Sequence, residues 1–215
     1  PACTFPTTMS PLLAHNLVPV FADSELDTYN LDLKNLEKML SPKTRAIMVP
    51  HALGNLNDVQ TLAKFCKKHN LYLIEDSCDT LGGSFNGKPT GAYTDITTAS
   101  FYASHHITAA GGGGIVCVNN PEWAKDAYAY REWGRAALHD DESLEYRFTS
   151  EHTGIHYDKK FTYTHMGYNF KPVESMFAFG LVQLQRLPEV VKVRARNFNA
   201  LRAFFEKHQE YFILP

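Results

Sequence analysis

The chain has 215 residues, a formal net charge of −2, and 44% hydrophobic against 20% charged side chains. That balance fits a globular protein able to bury a core. With Lys and Arg unclustered, it excludes an electrostatic nucleic-acid binder. No apolar run reaches the roughly 18 residues of a spanning helix, and no charged-then-apolar leader opens the sequence. The four cysteines, Cys3, Cys66, Cys78 and Cys117, are scattered without a CxxC spacing, so we expect small reduced thiols in a cytoplasmic protein.

Pro1 stands where an initiator Met would be, and Tyr211-Phe212-Ile213-Leu214-Pro215 is an apolar stretch that stops abruptly. We therefore expect a piece of a longer chain. In chain order, Val18 to Asp23 reads as a strand. Leu31, Leu33, Leu36 and Leu40 have helical spacing. Ala46 to His51 is a buried-strand run, and Asn57 to Lys68 a helix capped by Asn57 or Asp58. Leu71 to Asp76, Thr97 to Tyr102 and Gly114 to Val118 read as three further strands. Pro121 is placed to open a helix reaching about Trp133. Residues 136–165 are polar and irregular. Pro172 to Leu187 reads as one helix and Pro188 to His208 as another. Near-continuous apolar strands alternating with helices predict a mostly parallel α/β sheet covered on both faces.

In such a sheet, ligands sit beyond the carboxyl ends of the strands. Glu75-Asp76-Ser77-Cys78-Asp79 puts carboxylates at one such end. A carboxylate there can hold a protonated ring nitrogen, as a pyridoxal-type cofactor requires; the alternative is an acidic surface loop. Ser100-Phe101-Tyr102-Ala103-Ser104-His105-His106 follows another strand. The paired histidines suit a base or plain loop residues better than metal ligands, because neighbouring side chains diverge. Gly111 to Gly114 reads as a tight turn rather than a phosphate cradle, for no Lys-Ser/Thr or helix follows it. His152 and His156 read as solvated loop residues, and we expect no metal site.

Ordered together, these segments resemble a known family. The order is Ile74-Glu75-Asp76-x-x-Asp79, Gly82-Gly83-Ser84-Phe85-Asn86-Gly87-Lys88, Ser100-Phe101-Tyr102-x-x-His105-His106-Ile107-Thr108, Trp133-Gly134-Arg135 and Gly167-Tyr168-Asn169. The chain resembles the DegT/DnrJ/EryC1/StrS nucleotide-sugar aminotransferases over nearly its whole length, and within them the 3-dehydratase branch. The resemblance implies a three-layer αβα sandwich of the aspartate-aminotransferase type, fold type I. It implies a cofactor-binding large domain over 1–187. Residues 188–215 would form a long helix leading into a small domain that is not included.

Aminotransferases of this family carry, where His105 stands, a Lys that bonds covalently to pyridoxal phosphate. Imidazole cannot hold that bond. By resemblance, the cofactor is pyridoxamine phosphate, bound non-covalently, and His105 is the proton-transfer group. Imidazole titrates near neutral pH, which suits that task. The implied reaction removes the C3 hydroxyl of a nucleotide-linked 4-keto-6-deoxyhexose in deoxysugar biosynthesis, such as that of lipopolysaccharide O-antigen. Tyr102 is a second proton source. Asp76 pairs with the ring nitrogen, Asp79 orients the cofactor or the base, Ser100 binds the phosphate, and Asn169 reaches the phosphate of a neighbouring subunit's cofactor. That last role implies a homodimer with shared active sites.

Three features depart from the family pattern. Iron–sulfur members of the branch carry four close cysteines after Trp-Gly-Arg, whereas Ala136-Ala137-Leu138-His139 follows here and no cysteine lies beyond Cys117. No [2Fe–2S] cluster is expected, no reductase partner is implied, and regeneration with glutamate is the alternative. Gly111 stands where the family has an acid. The upstream Gly-Ser-rich phosphate-binding segment is not included. The rival expectations are a pyridoxal-phosphate-dependent sugar aminotransferase and a non-catalytic dimerising fragment.

Overall fold

The computed structural model describes residues 1–136, 143–152 and 154–214. Residues 137–139, part of the stretch compared with the iron–sulfur enzymes, lie outside them, as does Thr153. The chain divides into two compact units, Pro1–Cys117 with Glu174–Pro215, and Val118–Val173.

The first unit is built on a four-stranded sheet in the order β1-β2-β5-β6. Its strands are β1 (Ala46–Pro50), β2 (Tyr72–Asp76), β5 (Ile96–Ser100) and β6 (Gly114–Val118), with a short hairpin, β3 (Ser84–Phe85) and β4 (Lys88–Pro89), between β2 and β5. β1–β2 and β2–β5 are parallel, with Val49 opposite Glu75, Pro50 opposite Asp76 and Asp76 opposite Thr98. Side chains alternate across a sheet. Ile47, Val49, Leu73, Glu75 and Thr97 therefore share one face, and Ile74, Asp76, Thr98 and Ser100 the other.

Each face has its own helix. Helix α2 (Val59–His69) starts because the Asp58 side chain accepts from Thr61 N, and ends because Asn70 adopts a left-handed conformation. Its Leu62 and Cys66 meet Val49 and Leu73, with Ala22, Leu31 and Leu36 completing the buried cluster. Burying a side chain such as Leu62 fully stabilises the fold by about 1.5–3 kcal/mol. Helix α1 (Pro6–Ala14), which the sequence pattern did not announce, lies against β1 and reaches Asp76 on the opposite face. Helices on both faces give the three-layer arrangement.

Three local expectations need correction. Val18 to Asp23 is not a strand. Ala22 O accepts from Ala2 N and Asp23 O from Asp32 N, but among the described residues no neighbouring strand supplies a ladder, and Val18 and Val20 stay exposed. Leu33–Met39 winds as a 3-10 helix rather than an α-helix, started by Asp32 accepting from Lys34 N. The two C-terminal helices are one helix, α5 (Glu174–Phe205), running through Pro188. Proline removes one backbone donor and crowds the turn before it, yet flanking turns on both sides keep the helix continuous.

In the second unit, α3 (Pro121–Arg131) is capped by Asn120, whose side chain accepts from Glu122 N, with proline in its first turn. The short α4 (Leu144–Arg147) follows, then the hairpin β7 (Ser150–His152) and β8 (Ile155–Tyr157). His152 and His156 therefore sit in strands, not in an irregular loop. The Trp133-Gly134-Arg135 and Gly167-Tyr168-Asn169 motifs pair with each other. Trp133 N donates to Tyr168 O (2.8 Å), and Glu132 bridges Asn169 antiparallel. A Cβ at Gly167 would come within 2.7 Å of Trp133's carbonyl carbon and 2.9 Å of Tyr130 O. Only glycine allows backbones that close.

Candidate active site

The carboxyl ends of β2 and β5 lie side by side, because the strands are parallel and in register there. The Asp76 backbone is anchored on both flanks: its carbonyl accepts from His51 N (3.1 Å), and the next amide, Ser77 N, donates to Thr98 O (2.8 Å). Its side chain collects donors. Thr8 Oγ1 donates to Oδ2 (2.8 Å), Cys78 N donates to Oδ1 (3.1 Å), and the Cys78 thiol also bonds the carboxylate. Burial, the bond to Asp76 and the charges of Asp76 and Asp79 push that thiol up to about 12, against a weaker opposing bond involving the Ser100 backbone. Cys78 is thus a protonated donor, not a nucleophile.

Ser100 shares Asp76's face, and its hydroxyl accepts from Tyr102 N (3.1 Å). The hydroxyl proton can therefore point at an anion. Beyond it, Tyr102 to His105 form a turn closed by His105 N donating to Tyr102 O (3.0 Å), with the two rings edge-on at 6.2 Å. Nε2 of His105 faces Oδ1 of Asp79 at 3.7 Å. Asp79's other oxygen accepts from Leu53 N (3.3 Å), on the turn after β1, where Leu53 is held at φ 56. The Tyr102 side chain is exposed.

His106 is held neutral over a wider range than an ordinary imidazole. Burial lowers its pKa first, then the charge of Arg194, with Asp79 opposing and His105 adding to the lowering. Among the described residues, the Nδ1 atoms of His105 and His106 are sealed from solvent without a hydrogen-bond partner. The loop then turns through the glycine run, where Gly111 and Gly113 have φ of 100° and 89°. A Cβ on Gly113 would touch Phe177 of α5 at 3.4 Å, and one on Gly114 would lie 2.8 Å from Ala99 O. The run is a close-packed turn.

Asp76, Asp79, Ser100, Tyr102 and His105 are thus assembled at one sheet edge in the first unit. Asn169 belongs to the second unit, exposed and bridged to Glu132. Sequence reading placed Cys78 near the site but missed Thr8 and Leu53 N. Nothing local marks those two, since each acts on a carboxylate reached only through the fold. The donor set suits a pyridoxal-type group: a carboxylate for a ring nitrogen, a hydroxyl for a phosphate, and an imidazole for proton transfer. No lysine occurs between Lys88 and Lys125, so the loop after β5 cannot bond such a group covalently. Among the described residues, no three His, Cys, Asp or Glu side chains gather as a metal site, and no helix is long and apolar enough to cross a membrane.

Comparison with known proteins gives the family and the fold. The DegT/DnrJ/EryC1/StrS aminotransferase family model matches residues 1–215. The lipopolysaccharide biosynthesis protein RfbH of Salmonella typhimurium is 39% identical over 219 residues, covering 100% of this chain and 50% of that protein. The dTDP-4-dehydro-2,6-dideoxy-D-glucose 3-dehydratase of Saccharopolyspora spinosa is 40% identical over 207 residues, covering 94% and 44%. A solved structure of the E coli GDP-4-keto-6-deoxy-D-mannose-3-dehydratase with bound hydrated PLP superposes with a TM-score of 0.79 at 26% identity, covering 97% of this chain and 52% of that one. The chain spans about half the length of the curated relatives it matches. Its α/β fold, with a mostly parallel sheet, is of the fold type I aminotransferase kind, and the chain belongs to the DegT/DnrJ/EryC1/StrS aminotransferase family.

Proposed function

We propose that this chain carries the catalytic centre of a pyridoxamine-phosphate-dependent dehydratase that removes the C3 hydroxyl of a nucleotide-linked 4-keto-6-deoxyhexose in deoxysugar biosynthesis. One observation carries the reading: an imidazole, His105, stands 3.7 Å from Asp79 in a lysine-free loop beside Asp76. The 3-dehydratases among its relatives support it.

When bound, pyridoxamine phosphate supplies a free amine able to condense with a sugar ketone and a ring able to accept electrons. Asp76 holds the protonated ring nitrogen, and Ser100 donates to the phosphate. His105 takes up and returns a proton at Nε2, which faces the Asp79 carboxylate at 3.7 Å. Tyr102, exposed and edge-on to His105, offers its hydroxyl proton to the departing C3 oxygen. Asn169 completes a phosphate site across a two-fold dimer. Ala136-Ala137-Leu138-His139 stand where iron–sulfur members of the branch carry cysteines, which favours regeneration of the cofactor by an amino donor such as glutamate over a reductase partner.

The test uses the full-length protein and a nucleotide-linked 4-keto-6-deoxyhexose. His105→Lys abolishes C3–O cleavage, whereas an unchanged dehydration rate refutes the base assignment. Pyridoxal phosphate with borohydride leaves the wild-type loop unlabelled; a covalent label there would instead identify an aminotransferase.

A further inference from the structure

We propose that Thr8 is a positioning residue that sets the orientation of the Asp76 carboxylate toward the cofactor's ring nitrogen, an inference that rests on the role given to Asp76 above. A carboxylate must meet a ring N–H close to its own plane, so rotation about Cβ–Cγ has to be restrained. Cys78, two residues along the same turn, holds Oδ1 through its backbone N (3.1 Å), and its thiol also bonds the carboxylate. Both contacts follow from the local chain path. Thr8 is different. It lies 68 residues away on α1, is only 7% exposed, and bonds Oδ2 at 2.8 Å.

The choice of partner is informative. A helical serine or threonine can satisfy its hydroxyl on the preceding turn, and Ser10 of the same helix does so, donating to Pro6 O at 2.9 Å. Thr8 instead crosses to the sheet. Its β-branched side chain has few rotamers to lose, and a hydroxyl bonded to an ionised carboxylate makes a charge-assisted bond, stronger than a neutral one. With Oδ1 held by Cys78 N and Oδ2 by Thr8, the plane of the carboxylate is fixed, while the carboxylate keeps lone-pair capacity for a further donor. A ring N–H is such a donor.

The experiment titrates pyridoxamine phosphate into the full-length apoprotein, followed by absorbance, with the melting temperature of each apoprotein recorded separately. Thr8→Val keeps the shape and removes the donor; it should weaken binding about ten-fold. Thr8→Ser should stay within about two-fold of wild type, because it keeps the hydroxyl. Asp76→Asn sets the reference, and adding Thr8→Val to it should cost no further affinity. Wild-type affinity in Thr8→Val, or the same loss with and without Asp76, overturns the proposal, the second result marking a role in folding alone. Wild-type affinity in Asp76→Asn refutes the reading of Asp76 itself. If Thr8→Val does not fold, Thr8→Ala compared with Thr8→Ser decides by the same criteria.

Discussion

His51, the residue after β1, and Glu75 of β2 form a hydrogen-bonded pair, with 2.6 Å between Nε2 and Oε1 and both side chains sealed from solvent. His51 Nδ1 accepts from Asn57 N (3.1 Å), so the ring proton sits on Nε2 and points at Glu75. The second carboxylate oxygen accepts from Gly91 N, Thr94 Oγ1 and Thr97 Oγ1. Asn57 ties the pair onward, donating to Pro50 O and accepting from Leu31 N. Glu75 and Asp76 are chain neighbours on opposite faces of β2: one is committed to the interior, the other left for the site.

This pair predicts an acid-sensitive anchor. Removing Glu75 leaves the buried Nε2–H of His51 without an acceptor, so Glu75→Ala should cost about 1–3 kcal/mol in urea unfolding. A loss under about 1 kcal/mol would contradict the account.

The same pair sets a pH dependence. Burial alone would raise the Glu75 carboxyl, but the His51 hydrogen bond and attraction, with the Gly91 and Thr94 donors, bring it below the ordinary value. A depressed folded-state value stabilises the fold fully above the unfolded carboxyl's pKa, about 4.3, and the contribution is lost as pH falls through the folded value. The stability gap between wild type and Glu75→Gln should therefore be constant above about pH 5 and shrink below about pH 4. A gap that widens on acidification would reverse the sign and reject the assignment.

Asp79 bridges the turn after β1 and the loop after β5, through Leu53 N and His105 Nε2. Asp79→Asn removes the carboxylate charge that faces His105 Nε2, and should lower the dehydration rate of the full-length protein by about ten-fold or more. An unaltered rate would separate Asp79 from catalysis.

The cysteines should divide by environment. Cys3 and Cys117 are exposed. Burial and the nearby Asp95 charge push Cys66 up to about 11, and burial with the Asp76 contact pushes Cys78 to about 12. Because the thiolate is the reactive form, iodoacetamide at neutral pH should modify Cys3 and Cys117 of this chain first and reach Cys66 and Cys78 only after denaturation. Peptide mapping of the modified sites checks this; early labelling of Cys78 would count against its role as a donor to Asp76.

Gly114→Ala tests the glycine turn. The added methyl would lie 2.8 Å from Ala99 O, a backbone atom that cannot rotate away. The β5–β6 pairing must shift, and stability should fall by about 1–3 kcal/mol. Gly111→Ala has open space around its Cβ but a φ of 100°, so its cost is conformational rather than steric. Thermal unfolding of the two variants separates these causes.

What the sequence determined by itself was local. The apolar runs of β1, β2, β5 and β6, the Asp58 cap of α2, and Asn120 with Pro121 at the head of α3 are legible because strand periodicity, capping and helix initiation act within a few residues. Asp76, Asp79, Ser100 and His105 could be placed at strand ends for the same reason. What only the tertiary structure decided was which distant groups meet. Thr8 on Asp76, His51 on Glu75, and Trp133-Gly134-Arg135 against Gly167-Tyr168-Asn169 join residues that no short window contains. Val18 to Asp23 has strand composition but no neighbour to complete a ladder, and Pro188 has a helix-breaking composition inside a helix that flanking turns sustain. In each case, a backbone or side-chain donor takes the partner that the fold brings near, and a sequence pattern names the donor without naming the partner.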